Sequence, residues 1–168
     1  MVETSTTFRH SWCLETLLEG NYSCFFTGDS GVGKSVIVQN TFNKLVEKGA
    51  YQGIYLNFSA QTDSKRTQVT IMEKLEKISR TTLGAPPGKK NAVFVDDINM
   101  PQTEFYGAQP PIELLRLFLD KKGLYERSEW QWKNIRDTTL VAAAAPPVGG
   151  RSPLTPRFST HFNLFCVP

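Results

Sequence analysis

Gly28-Asp29-Ser30-Gly31-Val32-Gly33-Lys34-Ser35 decides the fold of this chain. The run is a complete G-x-x-x-x-G-K-[ST] phosphate-binding loop, and its neighbours are of the right kind. Ser23–Thr27 before it reads as a short buried strand, and Ser35–Lys48 after it reads as a helix with Val38, Phe42 and Leu45 on one face. Glycines let successive backbone N–H groups point inward, and the start of the helix adds its positive dipole end. The loop residues Gly28, Asp29, Ser30, Gly31, Val32 and Gly33 would therefore cradle phosphate. Lys34 would reach the β- and γ-phosphates, and the Ser35 hydroxyl would sit on Mg²⁺.

Four further apolar segments read as strands: Gly53–Phe58, Asn91–Val95, Thr139–Ala143 and Phe162–Val167. Helical patterns lie between them. Thr67–Arg80 sets Ile71, Leu75 and Ile78 on one face, and a helix starting at Pro111 carries Ile112, Leu115 and Leu119 inward. Trp12, Leu14, Leu17 and Leu18 predict an amphipathic helix within a covering segment, residues 1–22. Alternation of strand and helix predicts a parallel sheet with helices on both faces. Thr81–Lys90 and Met100–Pro110 read as irregular loops. Gly123–Asp137 reads as a projecting hairpin whose Tyr125, Trp130 and Trp132 form satellite core.

Ala92-Val93-Phe94-Val95-Asp96-Asp97 is an apolar run ending in carboxylates, the pattern that delivers a magnesium-holding aspartate, here Asp96. The strand Gly53–Phe58 falls between the loop and this run. That placement selects the additional-strand class of P-loop NTPases. Its α/β fold is a five-stranded parallel sheet of order 5-1-4-3-2.

In that class the residue after the magnesium aspartate polarises the attacking water. Asp97 occupies this position, one methylene shorter than the commoner Glu. It fits three roles: a general base, a base of reduced reach, or a group that orients Asp96. The strand that usually ends in a polar residue here offers only Ala144 and Ala145, with Asn99 as a neighbour able to substitute. Arg157, in Pro153-Leu154-Thr155-Pro156-Arg157-Phe158, fits an arginine finger acting in a neighbouring site or a surface arginine capping a helix end. Arg151 is a competitor for the same role.

Composition narrows the function class. The chain has 168 residues, 40% of them hydrophobic and 21% charged, and a net charge of +3. That length suits one domain with a real core. The small net charge, with no aromatic-basic channel motif, argues against a nucleic-acid helicase. Cys13, Cys24 and Cys166 are widely spaced in apolar surroundings, which predicts reduced and mostly buried thiols in a cytosolic compartment. His10 and His161 stand alone. No apolar run approaches the roughly 18 residues of a membrane span.

The loop Gly28–Ser35, Asn57-Phe58-Ser59-Ala60-Gln61-Thr62, the run Phe94 to Pro101, the run Tyr106 to Arg116, and Thr155-Pro156-Arg157-Phe158 together resemble dynein heavy chains. The nearest resemblance is to the third AAA+ module of axonemal dynein heavy chains, over essentially the whole chain. It implies a single AAA+ large subdomain, residues 1–168, with the helical lid absent, as a fragment of a larger motor. Such a module binds ATP or ADP with Mg²⁺ and regulates a ciliary microtubule motor. Its partners would be neighbouring AAA+ modules of the same heavy chain, with microtubules engaged only through the parent protein in the axoneme. The resemblance assigns Lys34 and Ser35 to nucleotide, Asp96 to magnesium, Asp97 to the catalytic acid and Arg157 to the finger. Asp at 97 and Ala at 145 depart from the strongest ATPase pattern, which predicts slow or conditional hydrolysis, and the absent lid predicts little turnover in the isolated chain. The alternatives are a nucleotide-locked structural module or an independent protein-remodelling ATPase.

Overall fold

The computed structural model describes residues 4–168. Five strands form the main sheet: β1 (Cys24–Thr27), β2 (Tyr51–Asn57), β5 (Lys90–Asp96), β8 (Thr138–Ala144) and β9 (Asn163–Cys166). All pairings are parallel, in the order β2-β5-β8-β1-β9. Counted among themselves and read from the other edge, these strands run 5-1-4-3-2.

Side chains alternate across this sheet, so it builds two cores. Phe26, Ala92, Phe94, Val141 and Ala143 face helices α1 (Ser5–Glu19) and α2 (Lys34–Glu47), meeting Leu14, Leu18, Ile37, Val38, Phe42 and Leu45. Phe25, Val93, Val95, Leu140 and Ala142 face the other way. They meet Ile71 of α3 (Ser64–Lys74), Leu115 and Phe118 of α4 (Pro110–Lys121), and Phe158 of α5 (Pro156–Ser159). A Thr4 capping box starts α1, and the Asp63 side chain accepts from the Arg66 amide to start α3. Residues 1–3 of the predicted covering segment lie outside the described residues. Within that segment Leu14 and Leu18 are fully buried, whereas Trp12 faces solvent, contrary to expectation.

The predicted helix Thr67–Arg80 is wrong in its second half. Helix α3 ends at Lys74, and the chain turns into β3 (Glu76–Ser79) and β4 (Thr82–Gly84) inside the region expected to be helix and loop. These join β6 (Gly123–Glu126) and β7 (Gln131–Ile135) in a second sheet of order β3-β4-β7-β6. Leu75 is buried, but Ile78 is exposed, because a strand sends it to the opposite side from a helix. The hairpin β6–β7 is present as expected. Its aromatics do not form a satellite core: Tyr125 and Trp130 are exposed, and Tyr125 packs edge-on against Trp132 with ring centroids 4.9 Å apart. Cys24 is buried but Cys166 is exposed, so the thiols are less sheltered than predicted.

Candidate nucleotide site

The C-terminal ends of β1, β5 and β8 gather the predicted site. The register sets Thr27 beside Ala144, and Val95 beside Ala142. The loop after β1 and the carboxylates at the end of β5 therefore flank the same strand end. Gly28 leaves β1 at φ 152°, where an added Cβ would lie 2.2 Å from the Val167 carbonyl oxygen. Gly33 caps α2 in the left-handed region, with φ 92° and ψ 14°, and supplies no side-chain capping bond. A Cβ on Gly31 or Gly33 would meet nothing within 4 Å. The loop thus leaves open space beside a helix start that has no side-chain cap, the arrangement that receives an anion.

Lys34 is buried at the first position of α2, and its Nζ donates to the carbonyls of Gly28 at 2.8 Å and Asp29 at 2.7 Å. An ammonium has three hydrogens, which leaves the third for a phosphate oxygen. Burial lowers the Lys34 pKa from the ordinary lysine value; Asp96, Asp97 and Asp29 act to raise it, and Arg151 pushes it further down. Lys34, Asp96, Asp97 and Arg151 accordingly act as one electrostatic group.

Asp96 ends β5 half-buried, and its Oδ1 accepts from the Asp97 amide at 3.0 Å. Asp97 then takes a left-handed φ of 49°, a conformation that Asp tolerates better than most residues. Beyond it the backbone re-anchors, with Ile98 N donating to Ala143 O at 3.0 Å and Met100 N to Asp97 O at 2.9 Å. Magnesium is commonly held by one or two carboxylates completed by substrate phosphates. Asp96, with the Ser35 hydroxyl one residue beyond Lys34, fits that donor set. Among the described residues no group of three or more His, Cys, Asp or Glu gathers into a self-sufficient metal site.

Asn99 does lie against the end of β8, as the sequence allowed. Its Nδ2 is spent on the Ala145 carbonyl at 2.8 Å, and its buried Oδ1 has no partner among the described residues. Arg157 lies away from this group. It is exposed on α5 and reaches Glu113 of α4 at 3.5 Å. Arg151, weighed only as a rival finger, instead pairs with Asp97, Nη2 to Oδ1 at 3.6 Å. The signal that could have found this pair is the Gly149-Gly150 turn after β8; both glycines take positive φ, and Ser152 N donates to Asn99 O at 3.0 Å, which brings the loop back to the segment after β5.

Comparison with known proteins agrees with this geometry. The family described as "P-loop containing dynein motor region" matches residues 1–168. Dynein axonemal heavy chain 6 of Homo sapiens is 51% identical over 168 residues, covering 100% of this chain and 4% of that protein. Dynein axonemal heavy chain 12 of Rattus norvegicus is 43% identical over 99% of this chain and 5% of its own length. The Dynein-1-alpha heavy chain of the flagellar inner arm I1 complex of Chlamydomonas reinhardtii is 40% identical over 98% of this chain and 4% of its own length. This chain therefore spans only a small part of the relatives it matches. The glycine loop that opens α2, the carboxylates that close β5 and a family match running over residues 1–168 place this chain in the P-loop-containing dynein motor region family.

Proposed function

We propose that this chain is the large subdomain of the third AAA+ module of an axonemal dynein heavy chain, binding Mg²⁺-ATP or Mg²⁺-ADP to regulate the motor. The observation that carries the reading is Lys34. A buried ammonium turned onto the loop carbonyls beside Asp96 and Asp97 has no structural need that an apolar residue would not meet at lower cost. In this role Gly28 to Gly33 wrap the phosphates, Lys34 holds the terminal ones, and Ser35 with Asp96 holds magnesium. Asp97 stands at the position that would polarise water. Arg157, exposed and held by one long contact to Glu113, is free to act in a neighbouring module's site.

Turnover in this reading is slow or conditional. Asp97 is one methylene shorter than the commoner Glu, and β8 ends in Ala144 and Ala145, with the Asn99 amide spent on a backbone carbonyl. The same features favour a second reading, a module that holds nucleotide permanently as a ring brace. Phosphate release by wild type and Asp97→Ala, measured in the assembled motor, separates the two; equal rates remove Asp97 from catalysis. The relatives named axonemal or flagellar support a place in the cilium or flagellum, with contacts to neighbouring modules and to microtubules made through the parent chain. No helix among the described residues is long and apolar enough to cross a membrane.

Titration of a fluorescent ATP analogue with and without Mg²⁺ tests the central claim. Lys34→Ala is expected to weaken binding by about 10²-fold, the value of a charge-assisted phosphate contact in a partly buried site. Unchanged binding in that variant would reject the site.

A further inference from the structure

Arg151 is poorly served by its contact with Asp97. The Nη2–Oδ1 separation of 3.6 Å is longer than a charge-assisted hydrogen bond, for which about 2.7–2.9 Å is usual. Among the described residues its buried Nε has no hydrogen-bond partner. A buried donor on a cation is costly to leave unmade. Asp97 is held at its backbone: its own amide donates to Asp96 Oδ1, and the next amide, Ile98 N, donates to Ala143 O of β8.

A second polar group beside it is also unfinished. Ser152 N donates to the Asn99 carbonyl at 3.0 Å, which ties the segment carrying Arg151 to the segment carrying Asn99. Asn99 is 2% exposed and its Oδ1 has no partner among the described residues. Two buried, unsatisfied polar atoms on tethered segments, at the strand ends that carry the phosphate loop, mark a polar site that protein atoms alone do not complete. The flanking Gly149 and Gly150 give the arm behind Arg151 conformational freedom.

From these observations we propose that Arg151 is a phosphate-reading arginine of this chain's own site, with two competing stations: the Asp97 carboxylate seen here and the terminal phosphate of a bound nucleoside triphosphate. The inference rests on the nucleotide-site reading above. A terminal phosphate offers three acceptor oxygens, so it can take Nε and Nη2 together in the fork geometry that a guanidinium presents. A diphosphate, one group shorter, leaves Arg151 on Asp97. Binding of triphosphate thereby releases the Asp97 carboxylate as it engages the arginine. The two nucleotides are told apart within the chain, independently of any arginine from a neighbour.

The test is equilibrium binding of fluorescent ADP and of a fluorescent non-hydrolysable ATP analogue, with Mg²⁺, to the 168-residue chain. Arg151→Gln is expected to lower triphosphate affinity by about 10–100-fold and to change diphosphate affinity by less than about 3-fold. Asp97→Asn removes the competing station and is expected to raise triphosphate affinity by about 2–5-fold, the range of an exposed ion pair. That gain should vanish when Arg151→Gln is also present. Should the glutamine variant fail to fold, Arg151→Lys keeps the charge but loses the fork, and about 3–10-fold selective loss of triphosphate is expected. Equal loss of both nucleotides, no loss, or an Asp97→Asn gain that survives without Arg151 overturns the proposal and leaves the site itself standing. A wild-type chain that binds neither nucleotide overturns both.

Discussion

Replacing Gly28 by alanine tests how the phosphate loop is joined to the sheet. An alanine Cβ would sit 2.2 Å from the Val167 carbonyl oxygen, and Cβ atoms essentially never come within 3.0 Å of such a neighbour. The two must part by about 1 Å, and the neighbour is backbone, not a flexible side chain. Val167 cannot yield freely either: its amide donates to Thr27 O at 2.8 Å, and the preceding Cys166 is in register with Thr27. Relief therefore costs that hydrogen bond, about 1 kcal/mol, plus about 1–3 kcal/mol for a non-glycine residue at φ 152°. The expected destabilisation is about 2–4 kcal/mol against a total of about 5–15 kcal/mol. Equilibrium urea unfolding measures it directly, and a thermal scan should show a fall of roughly 6–12 °C. Gly33→Ala is the control, since its Cβ meets nothing within 4 Å and it pays only the left-handed backbone cost of about 1 kcal/mol. If Gly28→Ala proved no more damaging than Gly33→Ala, the argument from close backbone approach would be refuted.

Phe42 is 1% exposed and packs edge-on against Phe94, so Phe42→Ala should cost about 3–5 kcal/mol in the same unfolding assay. Burial raises the Cys24 thiol from 9.0 to about 12, whereas Cys166 is exposed. At pH 8 a thiol reagent should label Cys166 rapidly and Cys24 only on unfolding. Because the folded-state value exceeds the unfolded one, Cys24 should stabilise the fold below pH 9 and lose that contribution as pH rises toward 12, which urea midpoints across that range would register. Arg157→Ala breaks one exposed contact to Glu113; stability should change by less than about 1 kcal/mol and this chain's own nucleotide affinity should not change, as calorimetry can check.

The phosphate loop was legible because its requirements are local. Glycines at fixed offsets between an apolar run and a helix have few other uses, and Gly28, Gly31 and Gly33 all take the positive φ that only glycine adopts freely. The strand order followed from one more fact, the strand lying between the loop and Asp96. What sequence could not show was non-local. Ile71, Leu75 and Ile78 carry a helical spacing, yet the segment after Lys74 leaves the helix because Thr82 and Leu83 pair with Asn134 and Ile135, far along the chain. The run Ile78 to Thr82 contains three β-branched residues, which was the available hint. The Asp97–Arg151 contact was hidden for a similar reason, since it depends on where a glycine turn sends its next side chain. The exposed aromatics of the hairpin were misjudged because exposure is decided by what packs against a segment, not by the segment itself.

The second sheet takes β3 and β4 from the connection that follows α3, and β6 and β7 from the connection that follows α4. Its central pairing, β4 with β7, is thus a bond between two crossovers on the same face of the main sheet. Neither connection can fray alone while that pairing holds. Amide hydrogens at both ends of the clasp, Thr82–Leu83 and Asn134–Ile135, should therefore exchange with one shared opening free energy, as a single cooperative unit.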